Sequence, residues 1–387
     1  MTFKHVLVGV ILAASFAGRA LCEDAARLTF TAQPRTYGPA VTFQIAVGDL
    51  DGDGDLDAVF ANQNATPSRV LLNDGSGQFD YTDQLLTPQG HGVALGDLDG
   101  DGDLDAVIAC ASVLVRGRFS NKESAVYLND GSGHFTQTIV GGFDDTELSA
   151  NLVQLADIDK DGDLDAFLAY LTVPGRDFIS RVYWNDGTGS FTLSSLDFPF
   201  GTLFCDLDGD GDVDAFAEEI GIGYEVWRND GGGVFVSVWQ LDDPSIRYEP
   251  YGFAFGDLDE DGDPDILDTN GSWDAIGPVF VLTNEGSCSF ERTRLDVGDI
   301  HAACPKLADL DLDGHLDASV TILGEADRIW LGDGAGTLTD MDLRLGKSDM
   351  TTGHAVGDLD GDGDLDLFIP VYGFTGGPAV VWLNGLN

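Results

Sequence analysis

One nine-residue acidic pattern governs what this chain can fold into, because it recurs at a nearly constant interval from end to end. DLDGDGDLD occupies 49–57 and returns at 97–105. DIDKDGDLD follows from 157, DLDGDGDVD from 206, DLDEDGDPD from 257, DLDLDGHLD from 309 and DLDGDGDLD from 358. Successive starts lie 48, 60, 49, 51, 52 and 49 residues apart. A period near fifty marks an array in which one supersecondary unit repeats, so the 387 residues count as one domain and not the two or three their number would suggest.

A second signature keeps step with the first. LNDGSGQF ends at Phe79, LNDGSGHF at Phe135, WNDGTGSF at Phe191, RNDGGGVF at Phe235, TNEGSCSF at Phe290 and LGDGAGTL at Leu338. Each repeat therefore has two turn centres, separated by short runs rich in Val, Ile, Phe and Ala such as GVALG, AVIAC and AVYLN. That pattern predicts four short strands per repeat. No stretch keeps a helical period for the ten to twelve residues a packed helix needs before meeting Gly, Pro or Asp. The fold class expected is all-β: a seven-bladed β-propeller with four-stranded blades.

The chain ends test closure. The seventh repeat stops at VVWLNGLN, where its glycine turn and fourth strand are due. Phe30 precedes Asp49 by 19 residues, and the repeat phenylalanines (or Leu338) precede the next acidic loop by 18, 22, 15, 22, 19 and 20. The N-terminal strand is thus expected to complete the last blade and to hide the sheet edges an open array exposes.

Asp is a hard oxygen ligand. Asp at loop positions 1, 3, 5 and 9, with a carbonyl from position 7, would nearly fill a Ca²⁺ shell of six to eight oxygens, and Gly at position 6 permits the sharp turn. The candidate ligands are Asp49, Asp51, Asp53, Asp55 and Asp57 in the first loop and Asp97, Asp99, Asp101, Asp103 and Asp105 in the second. Asp157, Asp159, Asp161, Asp163 and Asp165 form the third, and Asp206, Asp208, Asp210, Asp212 and Asp214 the fourth. Asp257, Asp259, Asp261, Asp263 and Asp265 form the fifth, Asp309, Asp311, Asp313, His315 and Asp317 the sixth, and Asp358, Asp360, Asp362, Asp364 and Asp366 the seventh. His315 replaces Asp in the sixth loop, which is expected to weaken that site. An EF-hand is excluded, since it needs flanking helices and a Glu at position 12, where these loops carry Phe60, Ile108, Leu168, Ala217, Asp268, Val320 and Ile369. Acidic turns without metal would crowd four or five carboxylates into one tight loop seven times over.

The net charge of −48 agrees with this reading: 34 of the 67 acidic residues are Asp at odd positions of the loops, and seven Ca²⁺ ions would bring the charge to −34. Hydrophobic residues at 43% exclude a disordered acidic tail. The acidity argues against nucleic acid as a partner. If each site has a dissociation constant on the order of 10⁻⁴ to 10⁻³ M, about 1 mM Ca²⁺ stabilises it by roughly 0.4 to 1.4 kcal/mol.

Residues 1–22 read as an export signal: Lys4 and His5, an apolar run from Val6 to Ala17, then small residues at Gly18 and Ala20, with cleavage near 20–22. The run is too short to span a membrane, and Leu21 is a poor residue before a lipidated Cys22. Residues 23–387 are then expected to be a secreted or periplasmic monomer without membrane insertion. Export permits disulfides, and the sixteen-residue spacing of Cys288 and Cys304 within one repeat allows a bridge, whereas Cys110 and Cys205 lie in strand-like apolar runs.

At the acidic loop and the NDGSGxF turn the chain resembles the VCBS and FG-GAP repeat family, which includes the propeller of integrin α subunits. The resemblance covers residues 28–387 and implies an extracellular propeller with calcium in hairpin loops and a role in adhesion or ligand recognition. Integrin α subunits carry such loops in only some blades, the literal Phe-Gly precedes an acidic loop here only at Phe255-Gly256, and no leg domain or anchor is expected. An integrin-type partner is not carried over.

In such a meander the acidic loops and glycine turns share one face, and the connections on the other face vary most. They hold Arg116, Arg118, Phe119, Lys122, Arg176, Arg247, Tyr248, Tyr251, Trp273, Tyr372 and Phe374. Arginine with aromatics suits a glycan or an acidic protein. Each also has the plainer use of covering its own loop. Trp184, Trp227, Trp330 and Trp382 fall at equivalent third-strand positions and are expected to pack between blades. No nucleophile motif, zinc pattern or phosphate loop is present, and His91, His301 and His354, ahead of three acidic loops, read as structural. The function expected is non-catalytic recognition of a protein or glycan on the face opposite the loops. The alternative is a calcium-assisted polysaccharide lyase, which needs a basic residue beside carboxylates on the variable face.

Overall fold

The computed structural model describes residues 28–386 apart from 39–40, 112, 116–117, 121–122, 139–142, 144–148, 172–178, 200, 220, 244–245, 247–251, 270–275, 347–349, 352 and 373–377. Strands pair antiparallel in seven four-stranded sheets, the blades of a propeller, with no helix among the described residues. Blade 1 comprises Thr42–Gly48, Asp57–Asn62, Arg69–Asn73 and Phe79–Tyr81. The last blade takes Ala355–Gly357, Asp366–Ile369 and Ala379–Asn384 from the C-terminal end and Phe30–Tyr37 from the N-terminal end, with Phe30 opposite Asn384 and Tyr37 opposite Ala379. The expected closure is therefore present.

Why the second strand of each repeat reads as a continuous apolar run follows from where its two faces go. In Asp57–Asn62, Asp105–Cys110 and Asp317–Ile322 every residue is buried, because one face packs on the preceding blade and the other on the following one. The core is accordingly divided into clusters at the seams. Tyr37, Phe79 and Phe368 with Ile45 and Val381 fill the seam between blades 7 and 1, and Phe167 and Phe198 with Phe204 and Ala215 fill that between 3 and 4. Trp330 is fully buried, and Trp184, Trp227 and Trp382 flank their seam clusters, as expected from their shared position.

The long second repeat carries an extra hairpin, Val113–Val115 with Arg118–Ser120, inside its second-to-third-strand connection. The Cys288–Cys304 bridge does not form: neither cysteine is disulfide-bonded. Cys288 sits in a glycine turn with its Sγ 3.8 Å from Asp214, whereas Cys304 lies on the innermost strand of the next blade, facing the central channel. The two cysteines thus belong to different blades.

Candidate metal centres

Each acidic loop joins the first and second strands of its blade and folds by the same sequence of side-chain to backbone hydrogen bonds. The position 1 carboxylate accepts the N–H of the position 6 glycine in all seven loops, at 3.2 Å from Gly54 and 3.0 Å from Gly314. Position 5 accepts the N–H of position 7, as Asp53 does from Asp55 at 3.0 Å and Asp313 from His315 at 2.9 Å. The glycine at position 6 has positive φ throughout, for example 98° at Gly54 and 97° at Gly314. This winding converges the carboxylates of Asp49, Asp51 and Asp53, of Asp97, Asp99 and Asp101, and of Asp206, Asp208 and Asp210, with one oxygen of each within 4.8 Å of the others.

Position 9 has a different principal task. Asp57 Oδ2 accepts the Leu50 N–H at 3.0 Å and Oδ1 accepts the Asn73 N–H at 2.8 Å, tying loop to third strand. Asp105, Asp165, Asp214, Asp265, Asp317 and Asp366 repeat this geometry, with Gly332 replacing the Asn in blade 6. All seven are buried, and burial pushes Asp57 up to about 6 and Asp105 up to about 7. In the first three loops the position 7 side chain lies against the glycine turn: a Cβ on Gly75 would lie 2.5 Å from Asp55 Oδ2, and Gly131 and Gly187 stand in the same relation to Asp103 and Asp163, whereas Asp364 of the seventh loop meets Asp362 at position 5. Glycine turn and acidic loop thus share one face.

The electrostatics leave an excess of negative charge at positions 1, 3 and 5. Burial, then repulsion from the position 5 carboxylate, raises the pKa of the position 3 Asp in every loop: Asp51, Asp99, Asp159, Asp208, Asp259, Asp311 and Asp360. Asp157 Oδ1, Asp309 Oδ1 and Asp360 Oδ1 are buried oxygens with no hydrogen-bond donor. Buried carboxylate oxygens without donors, converging on a point, are what a hard cation satisfies.

Two contacts between loops were not legible from the repeat alone. Position 4 has positive φ in every loop and is Gly in four of them, but Lys160 (62°), Glu260 (61°) and Leu312 (59°) adopt it too. Lys160 Nζ lies 2.8 Å from Asp212 at position 7 of the next loop, and Glu260 contacts His315 at position 7 of its next loop. The His at 315 is therefore one half of an inter-blade ion pair whose signal was a non-glycine at position 4 of the preceding repeat. Nothing in the structure explains Leu312, which is exposed.

Of the residues expected on the opposite face, Arg116, Lys122, Arg176, Arg247, Tyr248, Tyr251, Trp273 and Phe374 lie outside the described residues. Arg118 and Phe119 fall on the extra hairpin and Tyr372 on a two-residue strand paired with Met350–Thr351. His91 and His354 line the central channel. At the seam between blades 4 and 5, sequence reasoning missed a buried polar knot. Tyr224 donates to Asp268 at 2.5 Å, Arg292 donates to Tyr224 at 3.3 Å and pairs with Asp243 at 2.6 Å, and Glu218 beside them is buried with neither oxygen hydrogen-bonded. It sets a base among carboxyls, but Glu218 and Asp268 are 1% and 0% exposed.

Comparison with known proteins matches a model of the FG-GAP-like repeat at residues 49–108, 206–267 and 309–369. Comparison with curated proteins gives no match. Among solved structures, BBS1N in complex with ARL6DN is similar at 11% identity, with a TM-score of 0.56 over 92% of this chain and 96% of that one. The BP39L lectin from Burkholderia pseudomallei is similar at 11% identity, with a TM-score of 0.62 over 90% of this chain and 99% of that one. Both likenesses are of fold.

Proposed function

For a chain of FG-GAP-like repeats that matches the FG-GAP/VCBS repeat β-propellers, we propose the function of an exported, calcium-loaded recognition module for a protein or glycan ligand. The observation that carries the calcium reading is the set of converging position 1, 3 and 5 carboxylates, with orphaned buried oxygens at Asp157, Asp309 and Asp360. Calcium supplies charge neutralisation and rigidity; the residues that would hold it are those carboxylates, the position 7 carbonyl and the position 9 carboxylate of each loop. Recognition belongs to the opposite face, where arginines and aromatics gather in the longest connections. The similar propellers carry each kind of partner in their own descriptions, one a complex with ARL6DN and the other a lectin.

Two measurements test this reading. Excess EDTA is expected to lower the melting temperature by many degrees, with recovery on adding back Ca²⁺; an unchanged melting curve overturns structural calcium. A glycan array probed with and without EDTA is expected to give calcium-dependent hits, and an array without hits assigns the ligand to the protein class. The second reading, a polysaccharide lyase, requires ultraviolet-absorbing unsaturated products from a uronic-acid polymer, and the Arg292 knot is too deeply buried to serve it.

A further inference from the structure

The innermost strands enclose a central channel with a cavity of about 340 Å³, a size typical of small-molecule sites. Its described wall is mostly apolar and contains no Asp or Glu, although the chain carries 67 acidic residues. The residue three places before each acidic loop lines it in every blade: Ala46, Ala94, Ala254 and Ala355 in four, Gln154 and Leu203 in two, and Lys306 in the sixth. A single cation therefore stands in a ring of uncharged equivalents.

The other polar side chains of this wall are already engaged. Gln44 accepts the Val93 N–H at 2.9 Å, and Gln154 both accepts from and donates to the Phe204 backbone, at 2.9 and 2.7 Å. His91 bonds the Asn151 carbonyl at 3.1 Å, and His354 bonds the Ser319 and Thr321 hydroxyls at 2.6 and 3.2 Å. Lys306 pairs with Ser319 through its backbone, but its ammonium has no hydrogen bond or ion pair among the described residues and is only partly exposed. Burial holds its ammonium below the usual lysine range, opposed only by the neighbouring Cys304 and by no carboxylate. A largely buried cation that no carboxylate pairs costs free energy that an incoming anion returns.

We propose that the central channel is a binding site for a small monocarboxylate with an apolar body, its carboxylate on Lys306 Nζ and its body along Phe43, Leu152 and Phe253. One cation and apolar walls suit a single negative charge; a phosphate dianion would need more donors than this wall supplies. The site is separate from the acidic loops and does not depend on what the opposite face recognises.

Titration of the full chain with naphthalene-1-acetate and with its uncharged amide, naphthalene-1-acetamide, tests it by calorimetry. The acid is expected to bind about tenfold or more tightly than the amide, the preference expected of a charge-assisted contact. K306M should abolish that preference and K306R should retain it. Equal affinity of acid and amide for the wild type, no binding of either, or undiminished preference in folded K306M overturns the proposal. The wild-type comparison alone decides the matter if K306M fails to fold.

Discussion

The side-chain amide of Asn129 donates to the main-chain carbonyl of Leu50 at 2.8 Å, across the seam between the second blade and the first. Asn185, Asn229, Asn284, Asn384 and Asn73 do the same to Leu98, Ile158, Leu207, Leu310 and Leu359. The last of these joins blade 1 to blade 7, so the series runs around the closed ring and is interrupted only at Gly332 of blade 6. In N129A the Leu104 carbonyl loses its amide donor inside the seam, and the Leu50 carbonyl loses one of two donors, keeping the Gly133 N–H at 2.8 Å. The expected loss is about 0.5–1.5 kcal/mol, the net worth of a buried hydrogen bond. Urea denaturation with calcium held constant measures it, and a loss no larger than that of an exposed substitution would show that the amide is incidental.

Closure makes a second prediction. Tyr37, on the N-terminal strand, is fully buried between Phe79 and Phe368, with ring centroids 5.8 and 5.3 Å away, and its hydroxyl accepts the Phe79 N–H at 2.9 Å. Y37F keeps the ring packing and orphans one backbone donor, at an expected cost of about 1–3 kcal/mol. Y37A also empties the seam and should cost about 3–5 kcal/mol or more. Thermal unfolding should show the order wild type, Phe, Ala. Equal stability of the three would mean that the first strand does not hold the ring shut.

The ring and its loops were legible because the same nine residues returned seven times, and because the missing strand at one end matched a spare strand at the other. Asn129 was legible only as part of a turn. Its bond to the neighbouring blade depends on how blades are offset, which no single repeat encodes. Lys306 was hidden for a similar reason: its meaning appears only when seven positions distant in sequence are set around one axis. Cys288 and Cys304 show the reverse failure, since nearness in sequence suggested a bridge that the run of the outer strand between them forbids.

Lys160 with Asp212 and Glu260 with His315 connect positions 4 and 7 of successive loops with the signs exchanged. E260K alone should set a lysine beside His315 and leave the seam without its ion pair. Adding H315D should recreate the Lys160–Asp212 arrangement and restore the loss. Because the side chains are 34% and 51% exposed, the coupling expected is no more than about 1 kcal/mol. A double-mutant cycle by urea denaturation reads it, and strict additivity of the two substitutions would refute the pairing.

Glu218 supplies a pH dependence whose sign can be worked out. Burial, then the neighbouring charge of Asp268, raises its pKa well above the ordinary 4.5, while the lone cation of the knot, Arg292, is shared with Asp243. Below 4.5 the folded and unfolded chains both hold the proton. As pH rises above that, the unfolded chain releases it and the folded chain keeps it, so stability is lost progressively until the folded-state pKa is reached. E218Q keeps the shape and removes the titration. It should therefore match the wild type near pH 4 and melt higher than the wild type at pH 8, with calcium present in both. A glutamine variant less stable than the wild type at pH 8 would mean that Glu218 is ionised in the folded protein, its charge compensated by Arg292.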